Sequence, residues 1–443
     1  MTLTVIGAGL AGCEAAWQAA NAGVSVTLVE QKPAHYSPAH ESPLFAELVC
    51  SNSLKGMRLE TAAGLLKEEM KRLGSITVET ALSCAVPAGG ALAVDREKFA
   101  SLVTEKIKAH PRITIRSQRA ANIPDDGVCI IATGPLTDGE LAEEISRLCG
   151  ERLSFFDASA PIVEFDSVDM ERAYFASRYG RGDADYINCP MEKDEFLAFH
   201  DALVHAERAP LHTFDKDNPK VYEGCMPIEI MAGRGADTIR YGPLKPIGLR
   251  DPRTDKGAYA VVQLRKDNSE GSLYNLVGFQ TNLKFGEQKR VFSMIPALHN
   301  ANFVRYGVMH RNTFIDSPRL LTQGFNLRSR PDLFFAGQIT GVEGYMESAA
   351  SGMLAGINAV RRLKGEQPFV LPVETMMGAL SRYISDESVA DFQPMGANYG
   401  ILPPLPTRIR DKKERYGKLA QRALEALDST QAHTFIYSVA PKR

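Results

Sequence analysis

Residues 3–30 read LTVIGAGLAGCEAAWQAANAGVSVTLVE, which is a short apolar β-run, a glycine-rich turn, a helix-like segment and a second β-run. In the turn, Gly7 permits a tight bend, Gly9 lets the backbone approach a pyrophosphate, and Gly12 lets the helix pack closely on the strand. The N-terminus of the helix offers free N–H groups to phosphates. Glu30 ends the second β-run, where a carboxylate binds ribose hydroxyls. The segment therefore predicts a dinucleotide site, and the acid favours FAD or NAD over NADP.

A second glycine-rich turn lies far along the chain, where residues 334–341 read FFAGQITG and a long helix rich in small residues, Tyr345–Leu363, follows. Small residues let a helix approach a ring system, and its N-terminus stabilises negative charge on a reduced isoalloxazine. Many flavoproteins with two dinucleotide folds have Asp where this chain has Gln338, which can still form hydrogen bonds. Both turns and the segment ATG at 132–134 together favour FAD. We predict cofactor contacts from Gly7, Ala8, Gly9, Leu10, Ala11, Gly12, Glu30, Gln31, Lys32, Thr133, Gly134, Gly337, Gln338, Gly341 and Tyr345.

The composition is that of a globular protein with two or three domains, since 44% of the 443 residues are hydrophobic and 23% are charged. No apolar run approaches the roughly 18 residues of a membrane-spanning helix. The N-terminus has no basic leader, so we expect no signal peptide. None of the seven cysteines forms a CxxC pair, which argues against a disulfide framework or a zinc site. We therefore expect no metal and a reducing, cytoplasmic environment.

The order of the β-runs and helices predicts an α/β fold of the two-dinucleotide-binding type. A doubly wound FAD-binding domain would be formed by residues 1–151 and 321–443, with a large mixed α/β domain, 152–320, inserted between them. Within the insertion we predict a hairpin of two strands, Ala258–Arg265 and Ser272–Phe279. The insertion is the expected substrate domain.

Two cysteines lie in polar loops. Cys50 lies in ELVCSNSLKG (47–56), where hydroxyl groups and Lys55 could favour a thiolate. Cys225 lies in EGCMPIE (223–229), a turn shaped by glycine and proline. Either cysteine could be catalytic or an ordinary loop residue, and the sequence does not show that they meet. The other five are expected to be small buried hydrophobes, namely Cys13, Cys84, Cys129, Cys149 and Cys189.

Four motifs together resemble the folate- and FAD-dependent tRNA (uracil-5-)-methyltransferases: Gly7–Gly12 with Glu30, Leu48–Lys55, Gly224–Glu229 and Gly337–Gly352. The resemblance runs essentially from end to end. It implies that methylenetetrahydrofolate donates a one-carbon unit, that FAD reduced by NADH or NADPH supplies electrons, and that a uridine in the T-loop of tRNA becomes 5-methyluridine.

The resemblance also implies roles for single residues. Cys225 would be the nucleophile that adds to carbon 6 of uracil, and Cys50 the base that removes the proton from carbon 5, although the two roles could be exchanged. The target uridine has to be extruded from the T-loop to reach a flavin pocket. His310 and Tyr345 would be the aromatic groups against the pterin.

A basic segment near the C-terminus, 408–418, reads RIRDKKERYGK. Such a run is either a solvated helix face or a nucleic-acid contact. A protein of net charge −2 needs local positive patches to bind tRNA, so the resemblance favours RNA contact. The candidate residues are Arg408, Arg410, Lys412, Lys413, Arg415 and Lys418, with Lys245, Arg250 and Arg253 as a second patch in the inserted domain.

Three alternatives remain at this point. A longer flavoprotein that modifies the tRNA wobble uridine shares the Gly337-Gln338-Ile339 signature and paired cysteines, but it has an extra C-terminal helical domain. An NAD(P)H-dependent flavin oxidoreductase usually carries a second GxGxxG, which this chain lacks. The third alternative is an FAD-stabilised RNA-binding protein without catalytic activity. The oligomeric state is left open.

Overall fold

The computed structural model describes residues 2–150, 153–180, 183–209, 226–390 and 392–430. In chain order the described strands are β1 (Thr2–Ile6), β2 (Ser25–Glu30), β3 (Ser53–Gly56), β4 (Ala85–Val86), β5 (Ala91–Val94), β6 (Ile113–Ser117), β7 (Val128–Ile131), β8 (Leu153–Ala158), β9 (Ile162–Glu164), β10 (Tyr174–Ala176), β11 (Tyr186–Met191), β12 (Ala260–Lys266), β13 (Leu273–Leu276), β14 (Phe303–Arg305), β15 (Met309–Phe314) and β16 (Leu333–Phe335).

The described helices are α1 (Leu10–Asn21), α2 (Ala62–Arg72), α3 (Ile76–Ser83), α4 (Arg96–Ala109), α5 (Gly139–Cys149), α6 (Lys193–Val204), α7 (Ile228–Gly233), α8 (Ala236–Arg240), α9 (Phe285–Phe292), α10 (Ser317–Leu320), α11 (Tyr345–Lys364), α12 (Met376–Tyr383) and α13 (Lys412–Ser429). None of these helices combines the length and the apolar character that a membrane crossing requires.

A parallel sheet carries the first domain, with its described strands in the order β16-β7-β1-β2-β6. Strands β7 and β16 are continuous, fully buried apolar runs, as expected where helices cover both faces of a doubly wound sheet. The last strand in sequence, β16, pairs with β7, as expected if the fold receives strands from distant parts of the chain. The structure thus has the predicted α/β architecture.

Helices α1 and α11 touch through their backbones. A Cβ atom added at Gly352 would stand 2.1 Å from the carbonyl oxygen of Ala11, and one at Gly356 would stand 2.7 Å from that of Ala15. The two glycines lie one turn apart on α11, so the contact runs along both helices. Because α1 begins at the first glycine-rich turn and α11 follows the second, this contact fixes the two turns relative to each other.

The residues between the two parts of the parallel sheet form a second, antiparallel sheet in the order β10-β11-β12-β13-β9-β14. Helices α6, α7 and α9 complete its core, which includes Phe196, Ile228 and Phe292. The predicted hairpin is present as β12 and β13. The chain enters and leaves this region through β8 and β15, which pair with each other as an antiparallel ribbon.

The C-terminal helix α13 begins later than the basic segment does. Asp411 caps its N-terminus by accepting a hydrogen bond from Glu414 N at 2.7 Å, so Arg408 and Arg410 precede the helix. One face of the helix is buried through Leu419, Ala420, Ala423, Leu424 and Leu427.

We expect Gly352→Ala to lower the free energy of unfolding by about 3 kcal/mol, because the added methyl group meets backbone that cannot move without separating α1 from α11. Chemical denaturation measures the effect. The matched control is Gly417→Ala on α13, where a Cβ would meet nothing within 4 Å, and there we expect a gain of up to about 1 kcal/mol. Equal effects of the two substitutions would contradict the backbone contact.

Candidate functional site

A cavity of about 460 Å³ lies where both glycine-rich turns meet. Of the predicted cofactor residues, those that line it are Gly7, Ala8, Gly9, Leu10, Ala11, Glu30, Gln31, Lys32, Thr133, Gly134, Gly337, Gln338 and Tyr345. Gly12 and Gly341 are not among the lining residues. A Cβ at Gly12 would lie 1.8 Å from the carbonyl oxygen of Gly7, and one at Gly341 would meet the ring of Phe392 at 2.5 Å. These two glycines support the cavity from behind.

Glu30 organises the first turn. Its Oε2 accepts a hydrogen bond from Ala8 N at 2.7 Å, and its Oε1 accepts one from Lys32 N at 2.9 Å. The side chain is buried, but it lines the cavity. Each carboxylate oxygen can accept a second hydrogen bond, so the carboxylate can still bind the hydroxyls of a ribose.

A buried ion pair stands beside this end of the cavity, with Lys32 Nζ 3.3 Å from Glu47 Oε2. The other oxygen of Glu47 accepts hydrogen bonds from the backbone N–H groups of Glu41 and Ser42. His40 also lines the cavity, and burial together with the charge of Lys32 lowers its pKa. The sequence predicted the contact of Lys32 but not Glu47 or His40, because no local pattern marks this loop.

The second turn is held by side chains of α11 and of the turn itself. Gly337 N donates to Ser351 Oγ at 2.7 Å, and Gln338 Nε2 donates to Glu343 Oε2 at 2.6 Å. Glu347 lies in the first turn of α11, where the helix dipole favours a carboxylate. Its Oε1 accepts hydrogen bonds from Lys55 Nζ and from a backbone N–H, both at 3.0 Å. Its Oε2 is buried and has no hydrogen-bond partner in the described part of the chain.

Cys50 is half-buried and lines the same cavity. The N–H groups of Cys50 and Ser51 both donate to the hydroxyl oxygen of Tyr345, at 2.7 and 3.2 Å. Burial raises the pKa of Tyr345 well above its usual value, so its hydroxyl stays protonated. Tyr345, which the sequence assigned to the cofactor and the pterin, therefore also holds the backbone of the Cys50 loop.

Lys55 makes an ion pair that the sequence did not indicate. Its ammonium group lies 3.0 Å from the carboxylate of Glu347, which is buried. The expectation that Lys55 favours a thiolate at Cys50 stays a prediction. Glu347 is 292 residues away along the chain, so the pairing could not be read from the loop.

The inserted sheet reaches the Cys50 loop through Arg265 on β12. Its Nη2 donates to Ser51 Oγ at 2.8 Å and its Nε donates to Asn52 Oδ1 at 3.0 Å. Asn52 Nδ2 in turn donates to the carbonyl oxygens of Val94 and Lys266. Arg265 is buried, and burial lowers its pKa. No local sequence pattern indicates this contact, which ties the antiparallel sheet to the Cys50 loop.

Cys225 lies outside the described residues, as does the side chain of His310. The described residues on either side of 210–225 are both held by the segment 280–282. Ala209 N donates to Asn282 O and Ile228 N donates to Gln280 O, each at 2.7 Å. Glu229 is buried, and it accepts hydrogen bonds from Asn282 N at 2.8 Å and Thr281 Oγ1 at 2.9 Å. Gln280 also lines the cavity, so both ends of the segment containing Cys225 are anchored near it.

The predicted basic residues differ in whether their charges are paired with carboxylates. Arg253 is paired with Asp251 at 2.8 Å and donates to two backbone carbonyls, and Arg250 is paired with Asp255 at 3.0 Å. Lys245 is partly buried. The inserted patch therefore offers less free positive charge than its sequence indicates.

On the C-terminal segment, Lys418 is paired with Glu414 at 3.3 Å. Lys412 and Arg415 lie against the ring of Tyr416, which stacks on Tyr399 with ring centroids 4.4 Å apart. Four exposed cations of this segment make no ion pair with the described residues: Arg408, Arg410, Lys412 and Lys413.

Several known proteins are similar to this chain. A sequence model of the family described as "Glucose inhibited division protein A" matches residues 2–367. The chain is 59% identical over 424 residues to the methylenetetrahydrofolate–tRNA-(uracil-5-)-methyltransferase TrmFO of Enterococcus faecalis, covering 96% of this chain and 97% of that protein. It is 58% identical over 426 residues to the protein of the same name from Acetivibrio thermocellus, with coverage of 96% and 97%.

Among solved structures, GidA from Aquifex aeolicus superposes with a TM-score of 0.69 at 15% sequence identity. The match covers 99% of this chain and 75% of that one, so the two proteins share a fold.

We expect Tyr345→Phe to loosen the Cys50 loop, because two buried N–H groups lose their acceptor at a cost of about 1–3 kcal/mol. Alkylation of Cys50 by iodoacetamide, followed by peptide mass spectrometry, should accelerate by about tenfold. The control is Tyr383→Phe, which removes a hydroxyl that donates to Gln393 O at 2.8 Å and should leave the rate at Cys50 unchanged. An unaltered rate in Tyr345→Phe would show that other contacts hold the loop.

Proposed function

This chain belongs to the glucose inhibited division protein A family and, within it, to the methylenetetrahydrofolate–tRNA-(uracil-5-)-methyltransferases, and from this premise we propose that it methylates carbon 5 of a uridine in tRNA. Methylenetetrahydrofolate is the one-carbon donor, and NADH or NADPH is the source of electrons. The target is the uridine of the T-loop. The observation that carries the proposal is that a dinucleotide cradle and Cys50 share one cavity.

FAD fits the cavity as the resident cofactor. A Cβ at Gly7 would lie 2.5 Å from the carbonyl oxygen of Ala132, and the φ of Gly7 is +100°, so the turn requires glycine. Glu30 offers acceptors for the ribose, and the N-terminus of α1 offers N–H groups for phosphates. Gly337 and Gln338 with the first turn of α11 would hold the flavin end. When bound there, reduced FAD supplies the electrons that turn a transferred methylene group into a methyl group.

Cys50 is the described cysteine suited to chemistry, because the other five described cysteines are buried. Burial raises the pKa of Cys129 to about 12 and the pKa values of Cys84 and Cys149 to about 11, so these groups remain thiols at neutral pH. We assign Cys50 as the base that removes the proton from carbon 5. Cys225 is then the nucleophile that adds to carbon 6 and makes carbon 5 reactive.

The pterin of the folate is assigned to His310 and Tyr345. The hydroxyl of Tyr345 already accepts two backbone hydrogen bonds, so its ring is the part left to contact a ligand. His310 lies on β15, where it pairs in register with Asp157 of β8.

The tRNA is assigned to the exposed cations that precede and begin α13, with Lys245, Arg250 and Arg253 as a second surface. A uridine inside the T-loop has to leave its stack before it can enter the cavity. A tRNA substrate also implies that the protein acts in the cytoplasm.

The reaction is tested with unmodified tRNA, labelled methylenetetrahydrofolate and NADPH, followed by digestion to nucleosides. We expect label on carbon 5 of the T-loop uridine. Cys225→Ala should abolish the transfer, and Cys50→Ala should reduce it by about a hundredfold or more, since general bases contribute on this scale. Cys149→Ala is the matched control and should remain active. Label on the wobble nucleoside would establish the longer relative's activity instead, and NADPH consumption without label would indicate an oxidoreductase.

RNA contact by the C-terminal cations is tested separately. Replacing Arg408, Arg410 and Lys413 by alanine should weaken tRNA binding and reduce the slope of log K against log salt by about two to three, because each phosphate contact releases condensed counterions. The control removes the same charge from α4 by replacing Lys98, Lys106 and Lys108. If both triple variants change the slope equally, the effect comes from net charge and not from this surface.

A further inference from the structure

Three aromatic rings form a ladder at the edge of the inserted sheet. The ring centroids of Phe303 and Tyr306 are 5.9 Å apart with planes at 12°, and those of Tyr306 and Phe285 are 5.1 Å apart with planes at 16°. Phe303 is buried against the core, whereas the side chain of Phe285 is 55% exposed. We call these three residues the aromatic ladder. It carries a stack of nearly parallel rings from the core of the domain to its surface.

The ladder is held rigidly. Gln288 lies on α9 three residues after Phe285, is fully buried, and exchanges two hydrogen bonds of 2.8 Å with the backbone of Gly307. A Cβ at Gly307 would lie 2.5 Å from the carbonyl oxygen of Ser159, so this approach needs glycine. Because Gly307 follows Tyr306, the amide of Gln288 fixes α9 against the segment that carries the middle ring. An exposed ring that is already ordered loses little side-chain freedom when it binds a partner.

The position of the ladder relates it to the proposed reaction. Phe285 follows Lys284, whose N–H donates to Glu207 O, and it lies three residues after Asn282, which holds Ala209. The ladder therefore stands beside the point where both ends of the segment containing Cys225 are anchored. Three residues beyond Tyr306 the chain enters β15, the strand of His310.

The surroundings of the ladder are basic. Lys284 and Arg290 are paired with Glu207 and Glu287, at 2.5 and 2.7 Å. Lys289, four residues after Phe285 and thus on the same side of α9, makes no ion pair with the described residues, and neither does Arg305. Lys289 and Arg305 thus leave two cations near the ladder without a carboxylate partner among the described residues.

We propose that Phe285 is a stacking platform for a base of the tRNA next to the target uridine, an inference that rests on the proposed function. Extrusion of one nucleotide from a loop leaves its neighbour unstacked, and an exposed aromatic face flanked by cations replaces the lost stacking contact. The rings of the ladder are stacked in parallel, so a base on Phe285 continues the same arrangement. Lys289 and Arg305 supply charge complementary to the adjoining phosphates.

The experiment measures the affinity of the full-length protein for a T-arm hairpin RNA and for two hairpins that carry an abasic site, one on each side of the target uridine. Phe285→Ala should weaken binding of the intact hairpin by about tenfold. Phe285→Leu keeps the apolar bulk but lacks a π face, and it should show the same loss. Phe285→Trp should restore the affinity. The matched control is Phe175→Ala, because Phe175 is 40% exposed on β10 at the opposite edge of the sheet, and it should bind as the wild type does.

The abasic hairpins decide which contact is lost. If Phe285 stacks on the neighbouring base, the wild-type protein should bind one of the two abasic hairpins about tenfold more weakly than the intact hairpin. Phe285→Ala should not weaken the binding of that abasic hairpin any further. An equal loss on all three hairpins would overturn the proposal, and so would a rise in the KM for methylenetetrahydrofolate with RNA binding unchanged. A wild-type protein that binds the hairpin without methylating it would instead contradict the proposed function, so the two failures are distinguishable.

Discussion

The contact between the backbones of α1 and α11 is the constraint on which the cavity depends. Gly352 and Gly356 let α11 approach Ala11 and Ala15 to a distance that any side chain would prevent. Each helix starts at one of the two glycine-rich turns, so the separation of the turns is set by the packing of the helices behind them. Parallel-sheet proteins bind ligands at the carboxyl ends of their strands, and here that edge is closed by the two turns. The cavity is therefore a result of packing between segments that are more than 300 residues apart.

The Cys50 loop is held by polar contacts from both domains. Tyr345 of the first domain accepts the N–H groups of Cys50 and Ser51, and Arg265 of the inserted sheet donates to the side chains of Ser51 and Asn52. A buried guanidinium group is costly unless its hydrogen bonds are satisfied, so this contact favours one position of the loop. The half-buried cysteine is thereby kept at the wall of the cavity without burial in the core.

Local sequence patterns were sufficient to predict the glycine-rich turns and several of the helices and strands of the fold. The GxGxxG turn, the acid that ends β2, the helix after the second turn and the β12–β13 hairpin all follow from spacing within about thirty residues, which is the range over which periodicity carries information. The contacts of Lys55 with Glu347 and of Arg265 with Asn52 join residues 292 and 213 positions apart, so no local pattern predicts them. Gln280 lines the cavity although it lies far along the chain from both glycine-rich turns, and it was missed for the same reason. The aromatic ladder lies within residues 285–306, but no periodic pattern marks which of its rings stack. Gly12 and Gly341 were recognised as necessary glycines, but they serve packing and do not line the cavity.

Asn282 and Gln280 hold Ala209 and Ile228 through backbone hydrogen bonds, which fixes the separation of these two described positions. The entropy of joining two fixed points by a chain grows only with the logarithm of the chain's length, so each doubling costs about 0.6 kcal/mol. Insertions or deletions between the anchors would therefore leave the stability of the frame almost unaltered. Folding stability thus places little constraint on the number of residues between the anchors, and the constraint that remains is the proposed role of Cys225 in the reaction.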